Sequence, residues 1–229
     1  MIVDIIQTKN SYMAADMWAE WVAIHNGDMI ARGVIPCGRN IVGQDGFNGN
    51  TGILIWIFGE GYDQELQVSP YRPAESFRER FTWRFYENRE LIGTIKQKTQ
   101  KVKGFLQNYV YTEFQYKYKT YKCYEVGLGR KGIYVCIYRD NELVDVIDKA
   151  MKTVNYLDKY TCYLLYEEDS RAVIAYAMYY DKLKYSHEDE EVTHSVRWHA
   201  LNTISKELLA KYDPSFIDRV KELRGLKNG

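Results

Sequence analysis

Paired cysteines, proline and long apolar runs are all scarce in this chain. Its four cysteines, Cys37, Cys123, Cys136 and Cys162, are widely spaced and form no CxxC motif, so there is no local framework for a disulfide or a metal. In a chain long enough to fold without staples they are expected as reduced, buried thiols. A disulfide, or a zinc cluster drawn from distant positions, is the alternative. No apolar run approaches the roughly 20 residues of a membrane-spanning helix. The opening MIVDIIQTKN meets polar residues too early for a signal peptide. These absences predict a soluble, untargeted, cytoplasmic protein with no membrane insertion, virion-associated if virally encoded. Only 4 prolines accompany 21 tyrosines. With many lysines and asparagines, this is a composition that an AT-rich genome imposes, as in many bacteria and their phages.

Excess charge of one sign is missing as well. The chain holds 31 basic and 31 acidic residues, which excludes a histone-like or polyacidic protein. The balance conceals an asymmetry. Between Lys96 and Lys131 nine basic residues face two acidic ones, a formal +7, and six tyrosines are interleaved with them. From Asp140 to Glu191 thirteen acidic residues outweigh six basic ones, a formal −7. Opposed patches of this kind suit head-to-tail association with a protein partner or a second copy. A basic, tyrosine-bearing ribbon also suits nucleic acid, through phosphate attraction and base stacking. The residues predicted for either contact are Lys117, Lys119, Lys122, Tyr116, Tyr118 and Tyr121. Strict strand alternation places Tyr116 and Tyr118 opposite Lys117 and Lys119, so a bulge or twist is required for them to converge.

The familiar catalytic signatures are absent. The glycines of Gly33 to Gly52 and of GLGRKG form neither a phosphate loop nor a strand-bound dinucleotide fingerprint, and no GxSxG elbow occurs. Within the first glycine-rich stretch, Arg39, Asp45 and Cys37 are the chemically useful side chains, but no base for a cysteine nucleophile lies nearby in sequence. Glu60 and Asp63 form a carboxylate pair at a turn. Arg80 and Arg84 point the same way along a strand and can hold an anion together. His194 and His199 are five residues apart and lie on different helix faces, which excludes an HExxH-type site. Glu190 or Glu191 with His194 shares a face, and His187 can reach back from a loop. His187, Glu190 and His194 are therefore the metal-ligating candidates, and a metal nuclease would also recruit Glu60, Asp63 or Glu87. No cofactor is expected.

Hydrophobic periodicity predicts a single α+β domain over 1–229, with a mixed or mainly antiparallel sheet. Met13, Met17, Trp21 and Ile24 recur at helical spacing and predict an N-terminal helix. ILIWIF at 53–58 reads as a central strand, followed by a strand through Leu66 and Val68. Phe81, Trp83 and Phe85 alternate on a further strand, which turns into Leu91 to Ile95. Residues 96–136 predict an extended, protruding basic ribbon. Leu143, Ile147, Val154 and Leu157 predict a central helix, whereas 160–166 and 172–180 predict two strands. Residues 187–229 predict a C-terminal helical closure, with Asp213-Pro214 starting the last helix. The expected function is a non-catalytic interaction or assembly protein of a virus or mobile element. The alternative is a nucleic-acid-binding protein or metal-dependent phosphodiesterase.

Overall fold

The structure is a computed structural model, and it describes residues 1–9, 18–36, 53–58, 64–70, 82–101, 108–153, 157–184 and 202–225. Twelve strands run in order: β1 (Ile2–Lys9), β2 (Trp18–His25), β3 (Asp28–Pro36), β4 (Ile53–Ile57), β5 (Gln64–Pro70) and β6 (Thr82–Glu87). Then come β7 (Glu90–Gln100), β8 (Tyr109–Tyr116), β9 (Lys119–Gly127), β10 (Ile133–Arg139), β11 (Glu142–Lys149) and β12 (Lys159–Leu164). Helices α1 (Ser170–Lys184), α2 (Lys206–Leu209) and α3 (Phe216–Leu223) follow. Each strand pairs with its sequence neighbour, and β1 closes on β12, giving a sealed barrel. All twelve pairings are antiparallel, and the closing one runs from Ile2 opposite Tyr163 to Ile6 opposite Lys159.

The predicted α+β architecture is therefore corrected to an all-antiparallel barrel, and the corrections share one cause. The interior is filled by α1, whose residues Ala172 to Asp181 are buried on every face. A helix that is apolar all round has no wet side to give it a 3.6-residue period. AVIAYAMYY therefore passes for a strand, although its three alanines favour a helix. Each of the twelve strands contributes inward side chains to one core with this helix, from Val3 and Ile5 on β1 to Tyr160 and Cys162 on β12. Phe114 stacks on Tyr176 with ring centroids 5.1 Å apart, and Trp83 meets Tyr179 edge-on at 5.2 Å.

The predicted N-terminal helix is also a strand where it is described. Ala19, Trp21 and Ala23 are buried and alternate along β2, so of the described members of the predicted stripe Trp21 faces the interior and Ile24 the other side. The predicted central helix is β11. Its Val144 and Ile147 face the barrel core while Val146 packs outward against Phe216 and Val220 of α3. A strand covered on both faces loses its alternation. The strand expectations at 53–58, through Leu66 and Val68, over Trp83 and Phe85 and at 160–166 fall on β4, β5, β6 and β12, within a few residues at the ends. Of the C-terminal closure, α3 is present and Asp213 Oδ1 accepts bonds from both the Ser215 amide and hydroxyl. Ile204, expected within a helix, precedes the single turn α2 and is 88% exposed.

The basic segment is barrel wall rather than a free ribbon. β8 pairs with β9 only from Tyr116–Lys119 to Thr112–Cys123, whereas β7 and β8 remain paired out to Gln100–Tyr109. Beyond Thr112–Cys123 this end of the β7–β8 hairpin is not paired with β9. Cross-strand ion pairs Asp4–Lys159, Glu20–Arg32 and Lys98–Glu113 run along the outer surface. No described helix is long and apolar enough to cross a membrane.

Close approach makes one glycine obligatory. A Cβ on Gly93 would collide with the backbone carbonyl of Gln115 on the facing strand and press on Phe85. At Gly33 the colliding group is the end of the Met178 side chain, which can swing away. Gly93→Ala should therefore cost about 2 kcal/mol or more, and Gly33→Ala distinctly less. Urea denaturation of the two variants checks the order.

Candidate binding site at the loop-bearing rim

Strand direction alternates around the barrel, so connections fall on its two rims in turn. At one rim four of the five hairpins are two-residue turns, at 26–27, 88–89, 117–118 and 140–141. Asn26-Gly27, Asn88-Arg89 and Asp140-Asn141 hold both central residues at positive φ, the backbone that matches the twist of paired strands. At the opposite rim the ends of consecutive strands are separated by five to sixteen residues of sequence, most of them outside the described residues, and the described connection there is 128–132. The end of α1 emerges at this second rim. Long connections on a rigid scaffold are where binding residues collect.

A charged clasp closes the tight-turn rim. Asp169, just before α1, is buried and receives Arg139 Nη1 on both carboxylate oxygens at 2.7 Å. It also accepts from the Tyr121 hydroxyl at 2.7 Å and Lys119 Nζ at 2.9 Å. Glu168 shares Lys119 and Arg139. A carboxylate at this end of a helix also complements the helix dipole. Burial, then the bond to Asp169, pushes the Tyr121 hydroxyl well above its ordinary value.

This clasp absorbs much of the sequence-predicted contact surface. Tyr121 lies in the core beside Phe114, and Tyr116 is buried against Phe85, its hydroxyl pushed up to about 12 by burial. Neither ring offers a face to a base. Lys119 is committed to Asp169 and Glu168, and Lys117 pairs with Glu87 at 2.9 Å. Tyr118, at the turn, is 85% exposed. Lys122 stands on the outer side of β9 between Glu113 and Tyr138. Arg84 lies on β6 opposite Thr94. Lys119 and Tyr121, which share a face of β9, converge on Asp169 inside the molecule rather than on an accessible surface, and Tyr116 also turns into the barrel. Arg80, His187, Glu190, Glu191, His194 and His199 lie outside the described residues, as do Cys37, Arg39, Asp45, Glu60 and Asp63. Among the described residues no group of three His, Cys, Asp or Glu side chains is placed to hold a metal. Cys123, Cys136 and Cys162 are free buried thiols, each held protonated by burial.

The loop-bearing rim contains two features that composition and spacing did not reveal. One is a buried polar chain. Lys149 Nζ bonds Asp158 Oδ1 at 2.7 Å and the Tyr160 hydroxyl at 2.9 Å, and that hydroxyl donates to Asp181 Oδ1 on α1 at 2.7 Å. Gln7 and Asp158 exchange two further bonds, tying β1 to the same cluster. The only sequence signal was that Lys149 and Asp158 flank apolar segments.

The other feature is a split between β8 and β9. Beyond Thr112–Cys123 the two strands part, and the C-terminal segment crosses the gap. The Thr203 amide donates to Gly127 O, and the Gly127 amide donates to Thr203 Oγ1, each at 2.9 Å. The remaining space is a cavity of about 220 Å³ between the β7–β8 hairpin, β9, α2 and the last turns of α1. Tyr109, Tyr111, Tyr176, Tyr179 and Tyr180 contribute to its walls, with Cys123, Glu125 and Lys184. Tyr176 hydrogen-bonds with both Thr112 and Cys123, which fixes one wall.

No family model, no curated protein and no solved structure matches this chain.

Two buried carboxyls give opposite mutational signatures. Removing Lys149 takes a buried cation away from the buried Asp158 carboxylate. Lys149→Met should cost about 3–5 kcal/mol, and Lys149→Met with Asp158→Leu much less; equilibrium denaturation reads both. Asp145 is fully buried, and among the described residues no side chain hydrogen-bonds its carboxylate oxygens; burial raises its pKa well above the ordinary range, against a smaller opposing effect of the Val146 amide. The folded chain then keeps a proton that the unfolded chain releases near pH 4. Stability is retained below that value and lost as pH rises towards the folded value, at up to about 1.4 kcal/mol per pH unit. Asp145→Asn should remove this slope, seen as a shrinking wild-type advantage between pH 4 and 7 in denaturation curves.

Proposed function

We propose that this chain is a non-catalytic protein-interaction module: a plugged barrel acting as rigid platform, with the loop-bearing rim as its binding face. The observation that carries the reading is the separation of the two rims. Tight turns and an ion clasp occupy one end, whereas the long connections, the split strand pair and the described cavity share the other.

The physics favours a partner recognised by shape and specific contacts at that rim over one recognised by opposed charge patches. Part of the patches' charge is already paired within the molecule. Lys119 and Arg139 pair with Glu168 and Asp169, and Lys184 lies 3.7 Å from Glu125. Barrel closure also removes the open sheet edges through which strands commonly assemble.

Size-exclusion chromatography with light scattering at low and high salt tests the charge component. The mass should be the same at both; a salt-sensitive oligomer would restore association through opposed patches. Cross-linking mass spectrometry with a cell extract of the source organism tests the rim. Cross-links should concentrate in 10–17, 37–52, 71–81 and 102–107, and their concentration around Tyr118 and the tight turns would overturn the assignment.

A further inference from the structure

The cavity in the β8–β9 split carries a more specific inference, which deepens the reading of this rim as a binding face. Side chains alternate along β9, so Tyr121, Cys123 and Glu125 all face the interior while Tyr124 and Val126 pack outward. Glu125 is thus a carboxylate directed into a tyrosine-lined space. One of its oxygens, Oε2, is buried and receives no hydrogen bond from any described protein group. The neighbouring cation, Lys184 Nζ, is 3.7 Å away, beyond hydrogen-bond distance, on the last residue of α1 with a side chain 47% exposed. It screens the carboxylate without saturating it.

A buried carboxylate oxygen without a hydrogen bond is satisfied best by a charged donor, although the Glu125 side chain as a whole is 21% exposed. The walls around it are phenol rings and aliphatic side chains, which attract a cation through ring faces and accommodate an apolar stem. A volume of about 220 Å³ admits a short alkyl chain with its head group but no bulky ligand. We propose that this cavity binds an alkylammonium group, with Glu125 accepting its N–H donors and the tyrosines enclosing the adjoining methylenes. Lys184 is the competing cation and swings to solvent when the ligand enters. The group belongs either to a small free amine or to a lysine side chain of a protein partner.

Isothermal titration of the full chain with n-pentylamine, with n-pentanol, and with a Gly-Lys-Gly peptide blocked at both ends tests the assignment. The amine should bind, and the alcohol, which matches its shape but lacks the charge, should bind at least about tenfold more weakly. Glu125→Gln should weaken the amine by a similar factor, and Lys184→Met should strengthen it by removing the competitor. Both variants should keep the wild-type thermal midpoint within a few degrees, which separates lost binding from lost folding. Tighter binding of the blocked peptide than of the free amine assigns the site to a partner's lysine, and the reverse order assigns it to a small amine. Equal binding of amine and alcohol, unchanged amine binding by Glu125→Gln, or no amine binding at millimolar concentration overturns the proposal. Those results leave the rim reading standing if cross-links still gather there, whereas cross-links elsewhere with intact amine binding overturn the rim reading alone.

Discussion

Closing twelve strands into one barrel creates an interior that must be filled, and the burial of α1 within it is the interaction on which the rest of the structure depends. The strands supply inward apolar side chains around the whole circumference, and the helix meets them with Ala, Val, Ile, Met and Tyr on every face. Neither part has another way to remove these surfaces from water. A helix satisfies its own backbone hydrogen bonds along its length, so it can occupy a dry lumen where a loop could not. Only its two ends require polar partners, and each end has them. Asp169 is held by Arg139, Lys119 and Tyr121, while Asp181 is held by Tyr160, backed by Lys149 and Asp158.

This anchoring separates the tasks of the two rims. The tight-turn rim has little chain to spare, and its charges are consumed in fixing the start of the helix. The other rim receives the long connections and the exit of α1, and it is where the β8–β9 ladder parts. The gap is patched by Thr203 and α2 rather than by more strand. A cavity there follows from incomplete patching: the ladder and the C-terminal segment both cover the interior, and Tyr176, Glu125 and Lys184 line what lies between them.

The charge asymmetry acquires a different meaning in three dimensions. Read along the chain, a +7 segment and a −7 segment suggest two surfaces seeking partners. Folding places Lys119 of the basic segment, with the neighbouring Arg139, beside Glu168 and Asp169 at the link between β12 and α1, so part of the opposed charge is paired there. Charge that seemed available for intermolecular attraction instead helps seat the lumen helix. Tyrosine follows the same course, since Tyr116, Tyr121, Tyr176 and Tyr179 are packing residues of the interior.

By itself the sequence determined the local elements whose pattern has one explanation. ILIWI is a strand, Trp83 and Phe85 mark β6, Asp213-Ser215 starts α3, and the widely spaced described cysteines are buried thiols. It did not determine the identity of α1, β2 or β11, because periodicity reports solvent on one side of an element. α1 has none, β11 is covered on both faces, and Trp21 on β2 fits either period. The tertiary structure alone decided that β1 meets β12, that Lys149 and Asp181 belong to one polar chain, and that Glu125 faces a cavity. Each of these depends on residues far apart in sequence whose proximity is set by barrel closure, a global constraint that no local window of residues contains.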